Sequence, residues 1–272
     1  MLRNAAIAAL VLGFSVSATA LPAFADTSLT VAGSTALLPL ALDAAGVYQT
    51  KHSDVKISVS GGGSGTGLNQ VLAKAIDIGD SDIVAPPGSP LTDNKVAVIG
   101  FAIIINPALN VKSLTKKQIQ QIFGGTVTNW NQVGGPDQKI VVVNRTRGSG
   151  TRVVFEKTII APEKVVETGL TEDATGTVVS VVGQTPGAIS YAAFSGTHQK
   201  PVTEIAIDGV APTEKNILVG KYPFWSYEHM FTNGVPSGEV AKFIQFVETS
   251  NDLLVKNGFI KISDMKVSES SR

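Results

Sequence analysis

The sequence predicts an α/β fold with a mostly parallel sheet, and two observations lead to this prediction. After the first 25 residues, short apolar strand segments alternate with helical segments along the chain, an order typical of parallel sheets with intervening helices. Three of the predicted strands also run directly into clusters of Gly, Ser and Thr that open a helix. With 272 residues, 43% of them hydrophobic and 16% charged, the chain is long enough for one large globular domain or two small ones.

The predicted elements follow the apolar pattern of the sequence. Strands are predicted over 28–32, 55–60, 76–78 and 139–144, and the apolar run 96–105 is predicted to be a further, buried strand. Helices are predicted over 36–49, 68–75, 115–123 and 152–157. The helix 115–123 begins with a capping box formed by Thr115 and Gln118 and ends at Gly124, so its N-terminus is already satisfied and is predicted to be structural.

The N-terminus has the three-part layout of a secretory signal peptide. A basic start at residues 1–4 precedes an apolar run over 5–15 and a small-residue stretch that ends in Ala23-Phe24-Ala25. An N-terminal membrane anchor is the alternative, but the apolar run falls well short of the roughly 20 residues that a spanning helix needs. The sequence has 0 cysteines, which excludes disulfides and a lipoprotein anchor. We therefore expect cleavage after Ala25 and a periplasmic location.

Charge argues against a nucleic-acid partner. The chain has 22 basic and 22 acidic residues, and it contains no Lys/Arg block that could follow a phosphodiester backbone.

The three Gly/Ser/Thr clusters indicate an anion-binding site. They are Gly33-Ser34-Thr35, the run 61–67 and the run 145–151. The first N–H groups of a helix have no partner within it, and the helix dipole adds partial positive charge there, so such ends bind anions. Glycine lets the backbone approach a ligand, and hydroxyls add donors. Three converging helix starts would suit a tetrahedral oxyanion.

Each cluster taken alone is better explained as an ordinary N-cap and turn, and it is the recurrence of three clusters after strands, with an arginine and an inward acid, that favours the anion site. Enzyme motifs of similar composition do not fit, because the run 61–67 lacks the ending of a P-loop and neither Ser64 nor Ser149 lies in G-x-S-x-G. The histidines are scattered: His52 and His198 are predicted at the surface and His229 in a strand. No catalytic residue is therefore predicted, and a secreted phosphoester hydrolase that uses Ser64 or Ser149 remains the alternative from another functional class.

The acidic segment 77–82 also has two interpretations. Its three carboxylates could bind a metal, but their spacing does not match an EF-hand loop and no second acidic or His cluster is near in sequence. We expect neither a metal nor a cofactor. Asp77 and Asp80 are predicted to be solvated acids in a turn, whereas Asp82, between Ser81 and the apolar Ile83, is predicted to point inward.

With these features assembled, the sequence resembles the phosphate-binding subunit of phosphate ABC importers, the PstS family. The resemblance covers essentially the whole chain after the leader. The matching segments are 31–40, 60–67, 78–83, Thr128-Asn129-Trp130, Arg145-x-x-x-Ser149-Gly150-Thr151, 185–191 and 225–230.

The resemblance implies a two-lobed periplasmic binding protein fold of the type II kind, closing around its ligand by hinge motion. Residues 26–100 plus 225–272 would form lobe I and residues 101–224 lobe II. Two crossover hinge strands, 96–106 and 223–232, would join them.

The resemblance also implies the contacts to phosphate. They fall on Ser34, Thr35, Ala36, Ser64, Gly65, Asp82, Arg145, Ser149, Gly150 and Thr151. Some relatives have an aromatic residue where this chain has Ala36, so any contact there must use the backbone N–H. Arg147 and Arg152 are not required by the motif and are interpreted as charges on the rim of the site.

The expected function is capture of inorganic phosphate and its delivery to the transmembrane permease subunits of an ABC importer, by a monomer without enzymatic activity. Phosphate keeps a proton near neutral pH and sulfate does not, so an ionised Asp82 would accept a hydrogen bond from the first and repel the second. The alternatives within binding proteins are a receptor for another tetrahedral oxyanion, such as molybdate or arsenate, and an adhesion or sensing protein.

Overall fold

The computed structural model describes residues 27–197 and 201–268. The predicted signal peptide with its cleavage after Ala25, and also His198, lie outside the described residues. The strands are β1 (Thr27–Gly33), β2 (Val55–Ser60), β3 (Ile78–Ser81), β4 (Leu91–Ile105), β5 (Ser113–Leu114), β6 (Val141–Arg145), β7 (Leu170–Glu172), β8 (Ala188–Ala193), β9 (Thr203–Ile207), β10 (Trp225–Asn233) and β11 (Phe259–Ile260). The α-helices are α1 (Leu38–Lys51), α2 (Ser64–Leu72), α3 (Lys116–Phe123), α4 (Gly150–Phe155), α5 (Thr175–Gln184), α6 (Phe194–Thr197), α7 (Glu214–Leu218), α8 (Gly238–Thr249) and α9 (Asn251–Lys256).

The sheet is mixed, with strand order β2-β1-β3-β10-β4-β8-β6-β7. Strand β1 pairs in parallel with β2 and β3 at one end of this order, and β6 pairs in parallel with β7 and β8 at the other. Between them, β10 runs antiparallel to β3 and β4, and β4 runs antiparallel to β8. The α/β class is confirmed, but the prediction of a mostly parallel sheet is wrong at its centre, where β4 and β10 run in opposite directions.

Strand β4 links the two ends of the sheet. Its first part, Leu91–Gly100, pairs with β10, and its last part, Phe101–Ile105, pairs with β8. At the point of exchange the Phe101 N–H donates to the Phe224 carbonyl oxygen over 2.9 Å. The predicted buried strand over 96–105 is confirmed, since each of these residues is buried, and the strand extends back to Leu91.

The predicted ends of strands and helices agree with the structure where local sequence signals, such as a capping box, determine them. Strand β2 has the predicted bounds, and Thr115 caps α3 in the predicted capping box with Gln118. Helix α2 begins at Ser64, four residues before the prediction, because Gly62 and Gly63, with φ of +136° and +85°, turn the chain directly into the helix. Strand β3 begins later than predicted and runs on through Asp80.

Aromatic packing fixes α4 against the sheet. Phe155, the last residue of α4, stacks on Tyr191 of β8 with ring centroids 3.9 Å apart, and Phe123 of α3 meets Phe155 edge to face at 4.7 Å. A π-helical turn, Glu156–Ile160, continues α4. This packing holds the start of α4 close to the end of β6, where the third predicted cluster lies. Over the described residues, the helices are too short or too polar to cross a membrane.

Candidate functional site

The ends of β1 and β3 bring together the first predicted cluster and the acidic segment. The two strands are parallel neighbours with Gly33 opposite Asp80, so the residues that follow them emerge at the same edge of the sheet. There the Ser34 hydroxyl donates a hydrogen bond to the Asp82 carboxylate. Both side chains are buried, at 2% and 3% exposure. Asp82 therefore points inward, as the sequence predicts.

Ser34 also organises the start of α1. Its Oγ accepts hydrogen bonds from the Ala36 N–H over 3.0 Å and the Leu37 N–H over 3.2 Å. The backbone N–H of Ala36, which the resemblance assigns to ligand binding, is thus directed at Ser34 in this structure. The Ser34 side chain thus stabilises the turn that leads into α1 and donates to the acid.

The second cluster joins the same point through α2. The Ser64 Oγ accepts from the Asp82 backbone N–H over 3.0 Å. One residue later, the Gly65 N–H donates to the Gly148 carbonyl oxygen over 3.0 Å. The start of α2 therefore contacts both the acid that follows β3 and the glycine loop that follows β6.

The third cluster contacts the other carboxylate oxygen of Asp82. The Thr151 hydroxyl donates to the second oxygen of Asp82 over 2.7 Å. Gly150 packs so closely that a Cβ atom there would overlap the Ser64 hydroxyl, which explains why the position lacks a side chain. Ser149 is the N-cap of α4 and accepts from the Arg152 N–H over 3.3 Å. Asp82 thus accepts hydrogen bonds from two hydroxyls, one that follows β1 and one on α4, which follows β6.

Arg145, the last residue of β6, supplies a buried positive charge. It is 1% exposed, and its Nη2 donates to the Thr35 hydroxyl over 3.2 Å and to the Asp173 carbonyl oxygen over 2.9 Å. Its Nε and Nη1 have no hydrogen-bond partner within the described chain. Burial lowers the pKa of Arg145 and the negative charge of Asp82 opposes that shift, but a guanidinium remains protonated in proteins. A buried cation with two such nitrogens strongly favours an anionic ligand.

The structure places all the predicted site residues around this one location. They are Ser34, Thr35, Ala36, Ser64, Gly65, Asp82, Arg145, Ser149, Gly150 and Thr151.

The interpretation of Arg152 as a rim charge is wrong. Its side chain is 6% exposed and pairs with Glu156 at 2.7 Å and Glu167 at 2.8 Å. Its Nη1 also donates to the Arg145 carbonyl oxygen over 2.7 Å. Burial alone would lower the pKa of Arg152, but the bonds to Glu167 and Glu156 outweigh it and raise the pKa. Through this backbone hydrogen bond Arg152 stabilises the end of β6, where Arg145 lies. Arg147 is exposed, as predicted, and pairs with Glu167 at 3.0 Å.

The prediction that Asp80 is a solvated acid in a turn is also wrong. Asp80 lies in β3 and is 1% exposed, and its Oδ1 has no hydrogen-bond partner within the described chain. Burial, followed by the neighbouring charge of Asp82, raises its pKa well above the usual value. Asp77 is exposed, as predicted, and accepts from the Thr30 N–H over 2.7 Å.

Two hydroxyl residues of the site were not predicted. Thr175, the first residue of α5, donates its N–H to the Thr35 hydroxyl over 3.1 Å, and Ser195 of α6 donates to the Ala36 carbonyl oxygen over 2.7 Å. The signal for Thr175 was available, because Thr175-Gly176 follows the short strand β7 and opens a helix, as the other clusters do. The same signal was available for Ser195, because Ser195-Gly196-Thr197 comes one residue after β8 and lies in the short helix α6.

The histidines among the described residues make ion-pair and ring contacts. His229 lies in β10, as predicted, with its Nδ1 2.6 Å from Asp93 Oδ1. His52 is half-buried rather than fully at the surface, and it stacks on Tyr48 with centroids 4.2 Å apart. Within residues 27–197 and 201–268, no group of three or more His, Cys, Asp or Glu side chains is arranged to hold a metal.

Known proteins are similar to this chain in both sequence and architecture. A family model described as a PBP superfamily domain matches residues 18–251. The phosphate-binding protein PstS of Bacillus subtilis is 41% identical over 251 residues, which are 89% of this chain and 83% of the relative. The chain is also 24% identical to the phosphate-binding protein PstS of Borreliella burgdorferi over 86% of its length and 90% of that protein.

Solved structures agree. One described as a phosphate ABC transporter substrate-binding protein of Clostridium perfringens, with bound phosphate, superposes with a TM-score of 0.81 at 31% identity, covering 87% of this chain and all of that one. An ABC-type phosphate transport receptor from Vibrio cholerae gives a TM-score of 0.69 at 29% identity over 86% of this chain and all of the receptor. From its clustered polar strand ends, its buried arginine and these matches, the chain belongs to the PstS family of phosphate-binding proteins within the PBP superfamily.

Proposed function

We propose that this protein captures inorganic phosphate between two lobes and delivers it to the transmembrane permease subunits of an ABC importer, without catalysing a reaction. The observation that carries the proposal is Arg145, whose guanidinium is 1% exposed, has two nitrogens without a hydrogen-bond partner within the described residues, and donates from its third nitrogen to the Thr35 hydroxyl. An arginine can bind two oxygens of a phosphate at once through parallel hydrogen bonds. The names of the matched relatives support the same ligand.

Asp82 is the proposed selectivity residue. It is the acid that directly contacts hydroxyls of the first and third clusters. A protonated oxyanion such as phosphate can donate a hydrogen bond to this carboxylate, whereas fully ionised sulfate would only be repelled. Arsenate is protonated as well, and so we expect it to compete with phosphate.

The lobes proposed are residues 26–100 plus 225–272 and residues 101–224. The exchange of partners along β4, from β10 to β8 at Gly100–Phe101, supports this division. The bonds from Thr151 to Asp82 and from Gly65 to Gly148 would then join the lobes in a closed state. Ligand binding would stabilise that state because Arg145 comes from one lobe and Asp82 from the other.

We further propose a periplasmic monomer that is exported with cleavage after Ala25. The support is the charge, apolar and small-residue order of the first 25 residues and the Clostridium perfringens neighbour, which is described as a substrate-binding protein of an ABC transporter.

Calorimetric titration tests the proposal. Purified protein, freed of bound anion by unfolding, dialysis and refolding, should bind one phosphate, with competition from arsenate and little from molybdate or sulfate. A chromogenic phosphoester should not be hydrolysed. Absence of a phosphate binding signal in refolded protein would refute the phosphate assignment. Turnover that is lost in Ser64→Ala or Ser149→Ala would instead favour the hydrolase.

A further inference from the structure

Glu228 is a buried acid whose role the site described so far does not explain. It lies in β10 and is 0% exposed. Both of its carboxylate oxygens are buried, and within the described part of the chain no hydrogen-bond partner reaches either of them. Burying an ionised carboxylate without a partner is strongly unfavourable. The side chain therefore needs a proton, a partner or both.

The register of the sheet places this acid beside Asp82. Strand β10 runs antiparallel to β3, with Phe231 opposite Gly79, Met230 opposite Asp80 and His229 opposite Ser81. Glu228 therefore comes opposite Asp82, one residue beyond the end of β3. Opposed side chains in an antiparallel pair lie on the same face with Cβ atoms about 5 Å apart.

Asp80 completes the group. It precedes Asp82 by two residues and so shares its face of the strand, and it is itself buried. Three carboxyl groups thus meet behind the proposed anion site. Like charges at this separation in a buried place cannot all be ionised, so protons must be retained by some members of the group.

The surroundings decide which member keeps its negative charge. Asp82 accepts bonds from the Ser34 and Thr151 hydroxyls and faces the positive charge of Arg145. Among residues 27–197 and 201–268 no such donor reaches Glu228. Burial, followed by the charges of Asp82 and Asp80, raises its pKa well above the usual value. The nearest basic side chain of its own strand, His229, is turned to Asp93 of β4. Asp82 is thus the stabilised carboxylate and Glu228 the neutral acid.

We propose that Glu228 is a positioning residue of the anion site, a neutral carboxylic acid that donates its O–H to the Asp82 carboxylate. A carboxylate has about four lone-pair directions, so it can accept from Glu228 while Ser34 and Thr151 use two others. The bond fixes the orientation of Asp82, and the proton stays on Glu228, so that Asp82 remains an acceptor for the ligand. This role rests on the proposed function, in which Asp82 reads the proton of phosphate.

Two variants test the role. Glu228→Gln keeps a neutral side chain with an N–H donor, whereas Glu228→Leu fills similar space without one. Exposed Glu248 provides the control variant, Glu248→Gln. We expect phosphate affinity in Glu228→Gln to stay within about threefold of the parent and in Glu228→Leu to fall about tenfold or more, since a donor to a buried charge is lost. The ratio of phosphate to sulfate affinity should fall in Glu228→Leu, because Asp82 is no longer held in the orientation that accepts the proton of phosphate.

Infrared spectroscopy gives a readout that does not depend on phosphate binding. At neutral pH the parent should show carbonyl stretches of protonated carboxylic acids from Glu228 and from Asp80, whose pKa is also raised. The contribution of Glu228 should be lost in Glu228→Gln, which keeps that of Asp80, and the band should be unchanged in Glu248→Gln. Absence of this band in the parent, or a band unchanged in Glu228→Gln, would overturn the assignment of the proton. Equal phosphate affinity in the parent and a folded Glu228→Leu would overturn the positioning role. If the leucine variant does not fold, a Glu228→Gln variant that folds but loses phosphate binding would overturn it as well.

A parent that shows the infrared band but binds no phosphate would refute the proposed function instead. The charge state of Glu228 would then stand, and its role in ligand selectivity would fall together with the phosphate assignment.

Discussion

Asp82→Asn should convert a selective phosphate site into one that also accepts sulfate. The substitution keeps the size of the side chain, which is 3% exposed, and it keeps one oxygen to accept from Ser34 or Thr151. It removes the negative charge that faces the ligand and adds an N–H donor. Phosphate loses the acceptor for its proton, and sulfate loses its repulsion and gains a donor.

The expected size follows from the buried position of the charge. Two unit charges about 4 Å apart at an effective dielectric near 20 interact by roughly 4 kcal/mol, which corresponds to about a thousandfold in binding. Sulfate affinity should therefore rise by up to that factor. Phosphate affinity should fall by about tenfold or more, because a hydrogen bond to a charged group contributes about 1.5–3 kcal/mol.

The assay is calorimetric titration of phosphate with and without sulfate in parent and variant. Asp77→Asn is the matched control, since Asp77 is exposed and bonds only to Thr30 among the contacts described for it. If Asp82→Asn kept the parent ratio of phosphate to sulfate affinity, the proton-reading role of Asp82 would be refuted. A change of equal size in Asp77→Asn would show that the effect is a general one of net charge.

Three further predictions concern neighbouring residues. Arg145→Ala should weaken phosphate binding by roughly 30-fold or more and abolish phosphate-induced compaction in small-angle scattering; unchanged compaction would contradict its role in closure. Gly150→Ala should weaken phosphate binding and lower thermal stability, because its Cβ would overlap the buried Ser64 and Asp82. Gly148→Ala, with open space around its Cβ, should bind phosphate as the parent does. Glu228→Gln should be more stable than the parent by an amount that grows as pH rises above about 4.5. The reason is that the raised pKa of Glu228 keeps the proton on the folded parent while the unfolded parent releases it, which destabilises the parent alone. Chemical denaturation of both proteins from pH 4 to 8 would measure the two free energies of unfolding, and an equal difference at every pH would argue against a buried neutral acid.

The meeting of the first two clusters with Asp82 could be predicted because it depends on local rules. A strand that ends in Gly, Ser or Thr and opens a helix places polar groups at the carboxyl end of that strand, and carboxyl ends of parallel strands share an edge. Strands β1, β2 and β3 are such parallel neighbours. Arg145 ends β6, which runs opposite to β1, so this rule does not bring the third cluster to the same place, and its position was implied only by the resemblance. The apolar residues that follow Asp82 also predict that its side chain points inward.

The supporting residues could not be predicted in this way. Asp80 and Arg152 are polar types that are mostly exposed, and their burial depends on partners distant in sequence, such as Glu167 for Arg152. Glu228 faces Asp82 only because β10 returns after residue 224 and inserts antiparallel between β3 and β4. A period-two pattern gives the faces of one strand but not the identity of its neighbours.

Asp82 joins two properties that are often separable in binding proteins. Its carboxylate accepts from Ser34, which follows β1, and from Thr151, which lies on α4 in the proposed second lobe. The group proposed to read the proton of the ligand is therefore also a contact across the cleft. The charge of Asp82 would repel an anion without a proton before the two proposed lobes have closed around it. We therefore expect sulfate to be rejected while the protein is still open. A scattering titration with sulfate should accordingly show no compaction in the parent and a clear compaction in Asp82→Asn.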